Sequence, residues 1–520
     1  MTRGARRAAD LPEYYNAVDI LSRNLIDRAD SVALVTDDRE LTFGQVAEEV
    51  DRVGNALLKL GVRQGDTVAF LSLDTAEWPI AFFACLKVGA VAVGMSTLLT
   101  IKEQTYVLRD ARPRVLLVHA SLVSVVEEAI PQAPSVEHVV VIGSEGDRDD
   151  AFLTYESWIS GEPTELTAAD THRTDYATLN YSSGTTGRPK GILHSHQDLP
   201  LTAQLWGVDV LGLTAEDRTF SVAKLFFTFG LGGILIFPMR FGASTRFLES
   251  PLPDQVLQTI QKYKITQIYT APTAYRAMAD MIDDYDISSL RQGVSAGETL
   301  PKATWEAFHK ATGIRLIDGL GSTELFHIFV SAAPEEMRAG FTGKAIPGYR
   351  ARVVDDSGNE VPPGKPGQLA VQGPTGCKYL DDLDRQPNYV KNGWNYPGDI
   401  YEMDADGYFK YVARADDMII SSGYNISGPE VESVLLEHEA VAECAVIASP
   451  DPDRGNIVKA FIVLRDGFDG TDELVKTLQD YVKNEIAPYK YPRAITFIDD
   501  LPKTQTGKLQ RYRLRDLENS

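Results

Sequence analysis

The sequence contains little cysteine, fewer basic than acidic residues and no long apolar run. Three cysteines, Cys85, Cys377 and Cys444, lie far apart without a C-x-x-C pair, which favours a reducing compartment and no disulfide framework. Acids outnumber bases by 73 to 51, giving a net charge of -22, which argues against nucleic acids and anionic membrane surfaces as partners. The most apolar stretch, Pro79–Met95, is too short to span a bilayer, and no secretory signal is recognisable. We therefore expect a cytoplasmic protein.

The 520 residues correspond to roughly three or four domain-sized units, and their pattern changes along the chain. Up to about residue 340, strand-like runs such as Thr67–Ser72 alternate with helical segments such as Glu77–Lys87, which predicts doubly wound, largely parallel sheets. Between about 340 and 415, short strands separated by Gly and Pro predict a small antiparallel β-barrel. A compact α+β unit begins near Pro429. We expect an α/β protein with a large N-terminal domain (1–415) and a small C-terminal domain (416–520).

A stretch rich in glycine and hydroxyl groups follows an apolar, strand-like segment. It is Tyr181–Gly191, which reads Y-S-S-G-T-T-G-R-P-K-G. Glycines let backbone N–H groups approach a polyanion, and hydroxyls add donors, so this composition favours a triphosphate-binding loop. The same residue types also form ordinary polar turns, and composition alone leaves both interpretations open. It is not the common P-loop, because Pro189 separates Arg188 from Lys190 and no Gly-Lys-Ser/Thr ending is present.

Two further predicted strands end in polar and glycine residues. Ser295–Glu298 follows one strand, and the predicted strand Ile314–Ile317 ends in the segment D-G-L-G-S-T-E at 318–324. Open α/β sheets bind ligands at the carboxyl ends of their strands. Together with Tyr181–Gly191, three strand ends therefore carry residues suited to binding a ligand.

Five motifs in a fixed order resemble the adenylate-forming enzymes, the superfamily of acyl-CoA synthetases, adenylation domains and firefly luciferase. They are S-S-G-T-T-G-R-P-K-G at 182–191, D-G-L-G-S-T-E at 318–324, G-D at 398–399, R-A-D-D at 414–417 and P-K-T-Q-T-G-K at 502–508. The segments 223–232, 325–329 and 420–431 are similar to benzoate and 2-aminobenzoate CoA ligases. The resemblance implies an ATP-dependent aryl-CoA ligase for benzoate or an ortho-substituted benzoate such as 2-aminobenzoate or salicylate.

The resemblance implies two half-reactions at one site. The carboxylate first attacks the α-phosphate of ATP to give an acyl-adenylate and pyrophosphate, and the thiol of coenzyme A then displaces AMP. ATP, Mg²⁺ and coenzyme A are the implied cofactors. A mobile C-terminal domain would rotate about a hinge at Asp416, withdrawing Lys508 and bringing Ser421–Tyr424 to the site.

The resemblance also implies a role for each matching residue. The catalytic residues would be Lys508 at the bond-forming oxygens, Thr323 at the α-phosphate and Glu324 on Mg²⁺. The nucleotide and coenzyme A would be held by Ser182, Ser183, Thr185, Thr186 and Lys190 (β- and γ-phosphates), Gly297, Glu298 and Asp318 (adenine), Asp399 and Arg414 (ribose), and Ser422, Gly423 and Tyr424 (pantetheine channel). The acid pocket would be lined by Lys224, Phe227, Thr228, Phe229, Gly321, His327 and Ile328.

Several alternatives stay open at this stage. The phenylalanines at 226, 227 and 229 also fit an ordinary core, and His327 also fits a histidine whose bonds are satisfied within the protein. Pro397 and Ala413 replace a common threonine and glycine of the superfamily, which puts one polar contact and the approach to the hinge in doubt. An enzyme that loads a carrier protein, a non-catalytic ligand sensor and a homodimer are further possibilities.

Overall fold

A computed structural model gives the fold of the chain. It describes residues 4–144, 152–182, 189–249, 252–381, 384–414, 418–421, 424–451, 455–503 and 509–519, and all counts below refer to these ranges.

Sixteen α-helices are present among the described residues, and most of them lie between successive strands. They are α1 Asp19–Ser22, α2 Phe43–Lys59, α3 Glu77–Val88, α4 Ile101–Ala111, α5 Val123–Ala129, α6 Tyr155–Ile159, α7 Asp198–Thr202, α8 Thr228–Leu231, α9 Phe237–Phe241, α10 Pro253–Tyr263, α11 Pro272–Ala279, α12 Lys302–Thr312, α13 Gln386–Tyr389, α14 Gly428–Leu435, α15 Asp472–Glu485 and α16 Arg511–Asn519. Helix α2 begins with a capping box, in which Thr42 Oγ1 accepts from the Gln45 N–H at 3.2 Å and Gln45 Oε1 accepts from the Thr42 N–H at 2.9 Å. Gly61, at φ +80°, terminates it in the left-handed conformation that glycine tolerates.

The strands form five sheets among the described residues. In chain order they are β1 Val32–Val35, β2 Glu40–Thr42, β3 Thr67–Leu71, β4 Val91–Gly94, β5 Val115–His119, β6 His138–Ile142, β7 Leu153–Thr154, β8 Tyr176–Ser182, β9 Lys190–Ser195, β10 Arg218–Ser221, β11 Ser244–Arg246, β12 Gln267–Thr270, β13 Gln292–Ala296, β14 Ile317–Gly321, β15 Ile328–Ser331, β16 Lys344–Ala345, β17 Arg350–Val354, β18 Gly367–Gln372, β19 Val390–Lys391, β20 Trp394–Asn395, β21 Asp399–Met403, β22 Phe409–Arg414, β23 Ile419–Ser421, β24 Tyr424–Ile426, β25 Val441–Asp451, β26 Gly455–Leu464 and β27 Ala494–Phe497.

Two large sheets carry the first two thirds of the chain. The first has the order β7-β6-β5-β3-β4-β8-β9 and is parallel except for the hairpin of β8 and β9. The second has the order β16-β15-β14-β13-β12-β10-β11-β1-β2, with a parallel centre and antiparallel edges formed by β15, β16 and β2. The predicted doubly wound α/β fold is confirmed. The extent of β14 was predicted wrongly, because parallel pairing with β13 includes Asp318 and Gly319 and antiparallel pairing with β15 extends the strand to Gly321.

The remaining sheets follow the predicted change of pattern. Strands β17 to β22 form an antiparallel sheet in the order β19-β20-β18-β21-β22, with β17 paired to β18. The C-terminal part contains the hairpin of β23 and β24 and a three-stranded sheet in the order β25-β26-β27, on which α14 and α15 pack. Helix α16, which follows the P-K-T-Q-T-G-K motif in the chain, was not predicted.

Both faces of the first sheet are covered. Val68 and Phe70 of β3 face the largest apolar core, whereas Ala69 and Leu71 face a second core with α4 and α5. This alternation is the period of two that a strand imposes. Within the described ranges, no helix has the length and apolar character that crossing a bilayer requires.

Candidate active site

The hairpin of β8 and β9 carries the predicted phosphate loop. Ser182 and Lys190 pair across the hairpin and so mark the two ends of the loop. Tyr181 anchors the outgoing strand, because its hydroxyl donates to Asp110 Oδ2 at 2.7 Å. Ser183, Thr185 and Thr186 lie outside the described residues.

A tight turn after β14 brings the second sheet to this hairpin. Ser322 Oγ accepts from the Leu325 N–H at 3.3 Å and so caps the turn that contains Thr323 and Glu324. His194, on β9, donates from Nε2 to the Thr323 carbonyl oxygen at 2.7 Å. Phe326 ends the turn at φ +74°, a backbone conformation that a residue with a side chain rarely adopts, and it is fully buried. Such strain persists only where the surroundings hold it, and it is common at functional sites.

Tyr379 is a residue of this region that the sequence did not reveal. Its hydroxyl donates to Glu324 Oε1 at 3.0 Å. The segment around it pairs with β9, since the Leu193 N–H donates to the Lys378 carbonyl and the Leu380 N–H to the Gly191 carbonyl, both at 2.9 Å. Burial and the Glu324 carboxylate raise the pKa of Tyr379, so the phenol remains a donor. No local pattern marks Tyr379, because its partner lies 55 positions away in the chain.

The carboxyl end of β13 carries the second predicted segment. Gly297 follows the strand at φ +89°, a conformation suited to glycine. Glu298 comes next, and its Oε1 accepts from the backbone N–H of Leu509 at 3.0 Å. Asp318 lies on the neighbouring strand, β14, and is buried. Desolvation raises the pKa of Asp318 to about 7, and the Thr342 hydroxyl and a backbone N–H oppose this rise only partly.

Asp399 and Arg414 face each other across β21 and β22. Arg414 Nη1 donates to Asp399 Oδ1 at 3.0 Å. The Asp399 carboxylate is 7% exposed and the Arg414 side chain is 44% exposed, so the guanidinium reaches outward from a buried acid. The pair therefore presents fixed donors and acceptors of the kind that two ribose hydroxyls require.

His327 lies at the centre of an aromatic cluster. Its ring centroid is 4.7 Å from that of Phe237, 5.7 Å from that of Phe229 and 6.3 Å from that of Trp206. Nε2 donates to the Phe229 carbonyl at 3.3 Å, and Nδ1 has no hydrogen-bond partner among the described residues. Burial lowers the pKa of His327 to about 3, so the ring is neutral and Nδ1 is an acceptor. His327 is therefore not a histidine with both ring nitrogens bonded within the protein, because only Nε2 has a partner among the described residues.

Glycines make room around this histidine. A Cβ on Gly232 would lie 2.5 Å from His327 Cδ2, and a Cβ on Gly321 would lie 2.8 Å from the His327 carbonyl oxygen. The structure thus brings His327, Phe229 and Gly321 together.

The other predicted pocket residues differ in environment. Phe226 is a core residue, whereas Phe227 and Phe229 are only half-buried. Lys224 Nζ lies 3.7 Å from Asp74 Oδ2 and donates to the Leu248 carbonyl at 3.2 Å. Two predicted residues are buried at element starts, namely Thr228 in α8 and Ile328 in β15.

Two family models match the chain. The model of the AMP-binding enzyme matches residues 21–378, and that of the AMP-binding enzyme C-terminal domain matches residues 430–508. The chain belongs to the AMP-binding enzyme family. The resemblance drawn from the five motifs is therefore confirmed.

Relatives of this AMP-binding enzyme are similar over nearly their whole length. A benzoate–CoA ligase of Thauera aromatica is 38% identical, with 98% of this chain and 97% of that protein covered. A 4-hydroxybenzoate–CoA/benzoate–CoA ligase of Rhodopseudomonas palustris is 36% identical, with coverages of 98% and 95%. The crystal structure of the anthranilate CoA ligase AuaEII in complex with anthranoyl-AMP superposes with a TM-score of 0.94 at 48% identity, covering 98% of this chain and 99% of that one.

Four predicted residues of this AMP-binding enzyme have no described position. Lys508, Asp416, Ser422 and Gly423 lie outside the described residues, and Tyr424 pairs with Ser421 in the hairpin of β23 and β24. Pro397 and Ala413 are both buried, so the two departures from the superfamily pattern are accommodated in the packing. Neither interrupts the contact between Asp399 and Arg414.

Proposed function

We propose that this AMP-binding enzyme is an ATP-dependent aryl-CoA ligase. It forms an acyl-adenylate from an aromatic carboxylic acid and ATP and then transfers the acyl group to coenzyme A. The observation that carries this proposal is the neutral His327 inside an aromatic cluster, three positions after Glu324 in the chain. A pocket lined by these aromatic rings, with one fixed acceptor, would suit an aryl ring. The identities of 38% and 48% to benzoate and anthranilate ligases support the same substrate class.

The described residues suit the first half-reaction. Phosphoryl transfer depends on positioning and on neutralising charge, more than on covalent help. Ser182 and Lys190 stand at the ends of the phosphate loop, and Thr323 is held against the hairpin by His194. Asp399 and Arg414 would hold the ribose, and Lys508 would reach the oxygens of the new bond.

Mg²⁺ fits the donor set at Glu324. A carboxylate offers two oxygens, and Tyr379 uses Oε1. Among the described residues no group of three or more His, Cys, Asp or Glu could hold a metal alone. Mg²⁺ commonly binds through one or two carboxylates together with substrate phosphates, so Glu324 would hold it with ATP. The ion would neutralise charge on the transferred phosphoryl group.

The acceptor at His327 points to an acid with a donor on its ring. A ring N–H or O–H ortho to the carboxylate can donate to Nδ1, whereas benzoate itself leaves that buried acceptor unpaired. We expect 2-aminobenzoate or salicylate to be preferred to benzoate. A location in the cytoplasm is supported by the cysteines, which are free and buried.

ATP–pyrophosphate exchange over a panel of acids tests the proposal. The panel contains 2-aminobenzoate, salicylate, benzoate, 4-aminobenzoate as the positional control, and long-chain fatty acids. We expect exchange with the aromatic acids and fastest exchange with an ortho donor. Exchange with long-chain acids alone would refute the aryl assignment.

The acceptor of the acyl group needs a separate measurement. Formation of the coenzyme A thioester from the preferred acid supports a ligase. Stoichiometric adenylate without turnover of free coenzyme A would instead favour an enzyme that loads a carrier protein.

We also propose the division into residues 1–415 and 416–520, with a hinge at Asp416. The gap between the two family matches, from 378 to 430, supports a boundary in this region. Rotation of the smaller domain would let one site serve two half-reactions.

A further inference from the structure

A hydrogen bond connects the residues that follow β13 to the C-terminal part of the chain. Glu298, directly after β13 and Gly297, accepts at Oε1 from the backbone N–H of Leu509 at 3.0 Å. Leu509 follows Lys508 in the sequence. A contact that fixes this N–H therefore restricts where the chain that carries Lys508 can lie.

The neighbourhood of Leu509 is held firmly by the C-terminal part itself. Leu509 forms a β-bridge with Lys503, and the Gln510 N–H donates to the Pro502 carbonyl at 2.8 Å. Arg511 Nη2 donates to both oxygens of Glu432 at 2.7 Å, which fixes the start of α16 to the middle of α14. These contacts hold Leu509 in place within the C-terminal part. The hydrogen bond from Leu509 to Glu298 can therefore form only when the C-terminal part lies against the end of β13.

Two further contacts join the same surfaces. Arg276, on α11, donates from Nη2 to the Val441 carbonyl at the start of β25 at 3.1 Å. Arg465 Nη1 lies 3.7 Å from Asp280 Oδ2, just beyond the same helix. These contacts hold the second large sheet and the C-terminal sheet in one arrangement, and of the three acceptors only Glu298 lies at the end of a site-forming strand.

We propose that Glu298 is a positioning residue for adenylate formation rather than a side chain that holds adenine. Its carboxylate stabilises the arrangement in which Leu509, the residue after Lys508 in the sequence, is held at the end of β13. It has to release Leu509 before the C-terminal part can rotate for the reaction with coenzyme A. The proposal rests on the proposed function. A hydrogen bond to a charged acceptor corresponds to roughly a 10- to 100-fold bias in an equilibrium constant, which is enough to favour one of two domain arrangements.

The two half-reactions measured separately test this role. Glu298→Ala should slow single-turnover formation of acyl-adenylate from ATP by about 10-fold while leaving the KM for ATP unchanged. Thioester formation from supplied acyl-adenylate should stay at the wild-type rate or rise, which also shows that the variant is folded. The rate of adenylate formation by Glu298→Gln should lie between those of the wild type and Glu298→Ala. Its amide oxygen still accepts from the Leu509 N–H, but without the assistance of a negative charge.

The control is Glu306→Ala, which removes an exposed carboxylate on α12 that lies 3.7 Å from Lys302. It should leave both half-reactions unchanged. The proposal is overturned if Glu298→Ala raises the KM for ATP and slows both half-reactions equally, or if it has no effect. Failure of the proposed function is distinguishable, because the wild-type protein itself would then form no adenylate with any aromatic acid.

Discussion

Asp318 is a carboxylic acid whose buried position changes its acidity. It lies on β14, where it pairs with Ser295 of β13, and burial raises its pKa from 3.8 to about 7. The folded protein therefore binds a proton that the unfolded chain releases at lower pH. This contribution to stability is complete below pH 4 and is lost as the pH rises towards and through 7.

Replacing Asp318 by Asn should reveal this effect. The amide imitates the neutral acid, so the melting temperature of Asp318→Asn relative to the wild type should rise between pH 5 and pH 8. Each unit of pKa separation corresponds to about 1.4 kcal/mol. Thermal unfolding of the nucleotide-free proteins across this pH range measures the difference. A difference that is constant with pH would show that Asp318 is not protonated by burial.

Gly232 controls the space around His327. A Cβ at this position would meet His327 Cδ2 at 2.5 Å and Phe237 Cζ at 2.8 Å, which forces the rings apart. Gly232→Ala should raise the KM for the aromatic acid about 5- to 150-fold, since overpacking of this kind costs about 1–3 kcal/mol. The KM for ATP should not change. Steady-state kinetics measures both constants.

Gly376→Ala is the matched control, because a Cβ there approaches the Asn395 side chain no closer than 3.8 Å. It should keep both KM values. If Gly232→Ala and Gly376→Ala had the same KM for the aromatic acid, the acid would bind away from His327.

At the scale of elements, the turn between β14 and β15 connects the residues proposed for the nucleotide with those proposed for the acid. It presents Thr323 and Glu324 on one side of the strained Phe326 and His327 on the other. Three contacts hold this turn, from His194, from Tyr379 and from the hydroxyl of Thr375, which donates to the Leu325 carbonyl at 2.8 Å. We infer that the strain is retained because it lets one short turn serve both substrates.

Removal of the Tyr379 hydroxyl should weaken the binding of Mg²⁺. Without the donor at Oε1, Glu324 loses its fixed orientation, at a cost of about 1 kcal/mol. Tyr379→Phe should therefore raise the Mg²⁺ concentration for half-maximal adenylation about 5-fold, with recovery at high Mg²⁺. Titrations of adenylation with Mg²⁺ measure this shift.

Tyr275→Phe serves as the comparison, because its buried hydroxyl donates to the Ile268 and Val294 carbonyls instead. Its Mg²⁺ dependence should match that of the wild type. If Tyr379→Phe and Tyr275→Phe showed the same dependence on Mg²⁺, Tyr379 would have no role in binding the metal.

Local signals in the sequence predict the elements better than the contacts between them. The strand near Thr67 and the helix at Glu77 were predicted within one residue, because apolar periodicity alone defines them. The predicted position of β14 was shifted towards the N-terminus, because Gly319 and Gly321 are typical of a loop and their pairing with β15 shows that they belong to the strand. Tyr379 was missed for the same reason, since it reaches the site through pairing with β9 that spans nearly 190 positions. The motif residues were found only because the five motifs occur together.

At the scale of the whole molecule, the site is assembled from separate sheets. His194 of the first sheet meets Thr323 of the second, and Leu509 of the C-terminal part meets Glu298. Under the proposed domain rotation, movement of the C-terminal part would change which half-reaction the site supports. Lys508 is the residue whose loss should separate the two reactions most clearly.

Lys508→Ala should reduce adenylate formation at least about 100-fold, the size expected when a charge-stabilising donor is removed from a transition state. Thioester formation from supplied acyl-adenylate should remain close to the wild-type rate. Rapid-quench analysis of each half-reaction compares the two. Equal loss in both would contradict the division of labour between domain arrangements.

The most direct test of the account is the product balance of one complete reaction. The purified protein is supplied with 2-aminobenzoate, ATP, Mg²⁺ and coenzyme A, and AMP and the thioester are quantified by mass spectrometry. The account predicts one AMP and one 2-aminobenzoyl-CoA for each acid consumed, and no thioester when a long-chain fatty acid replaces the aromatic acid. Thioester from the fatty acid alone, or no AMP with any aromatic acid, would contradict it.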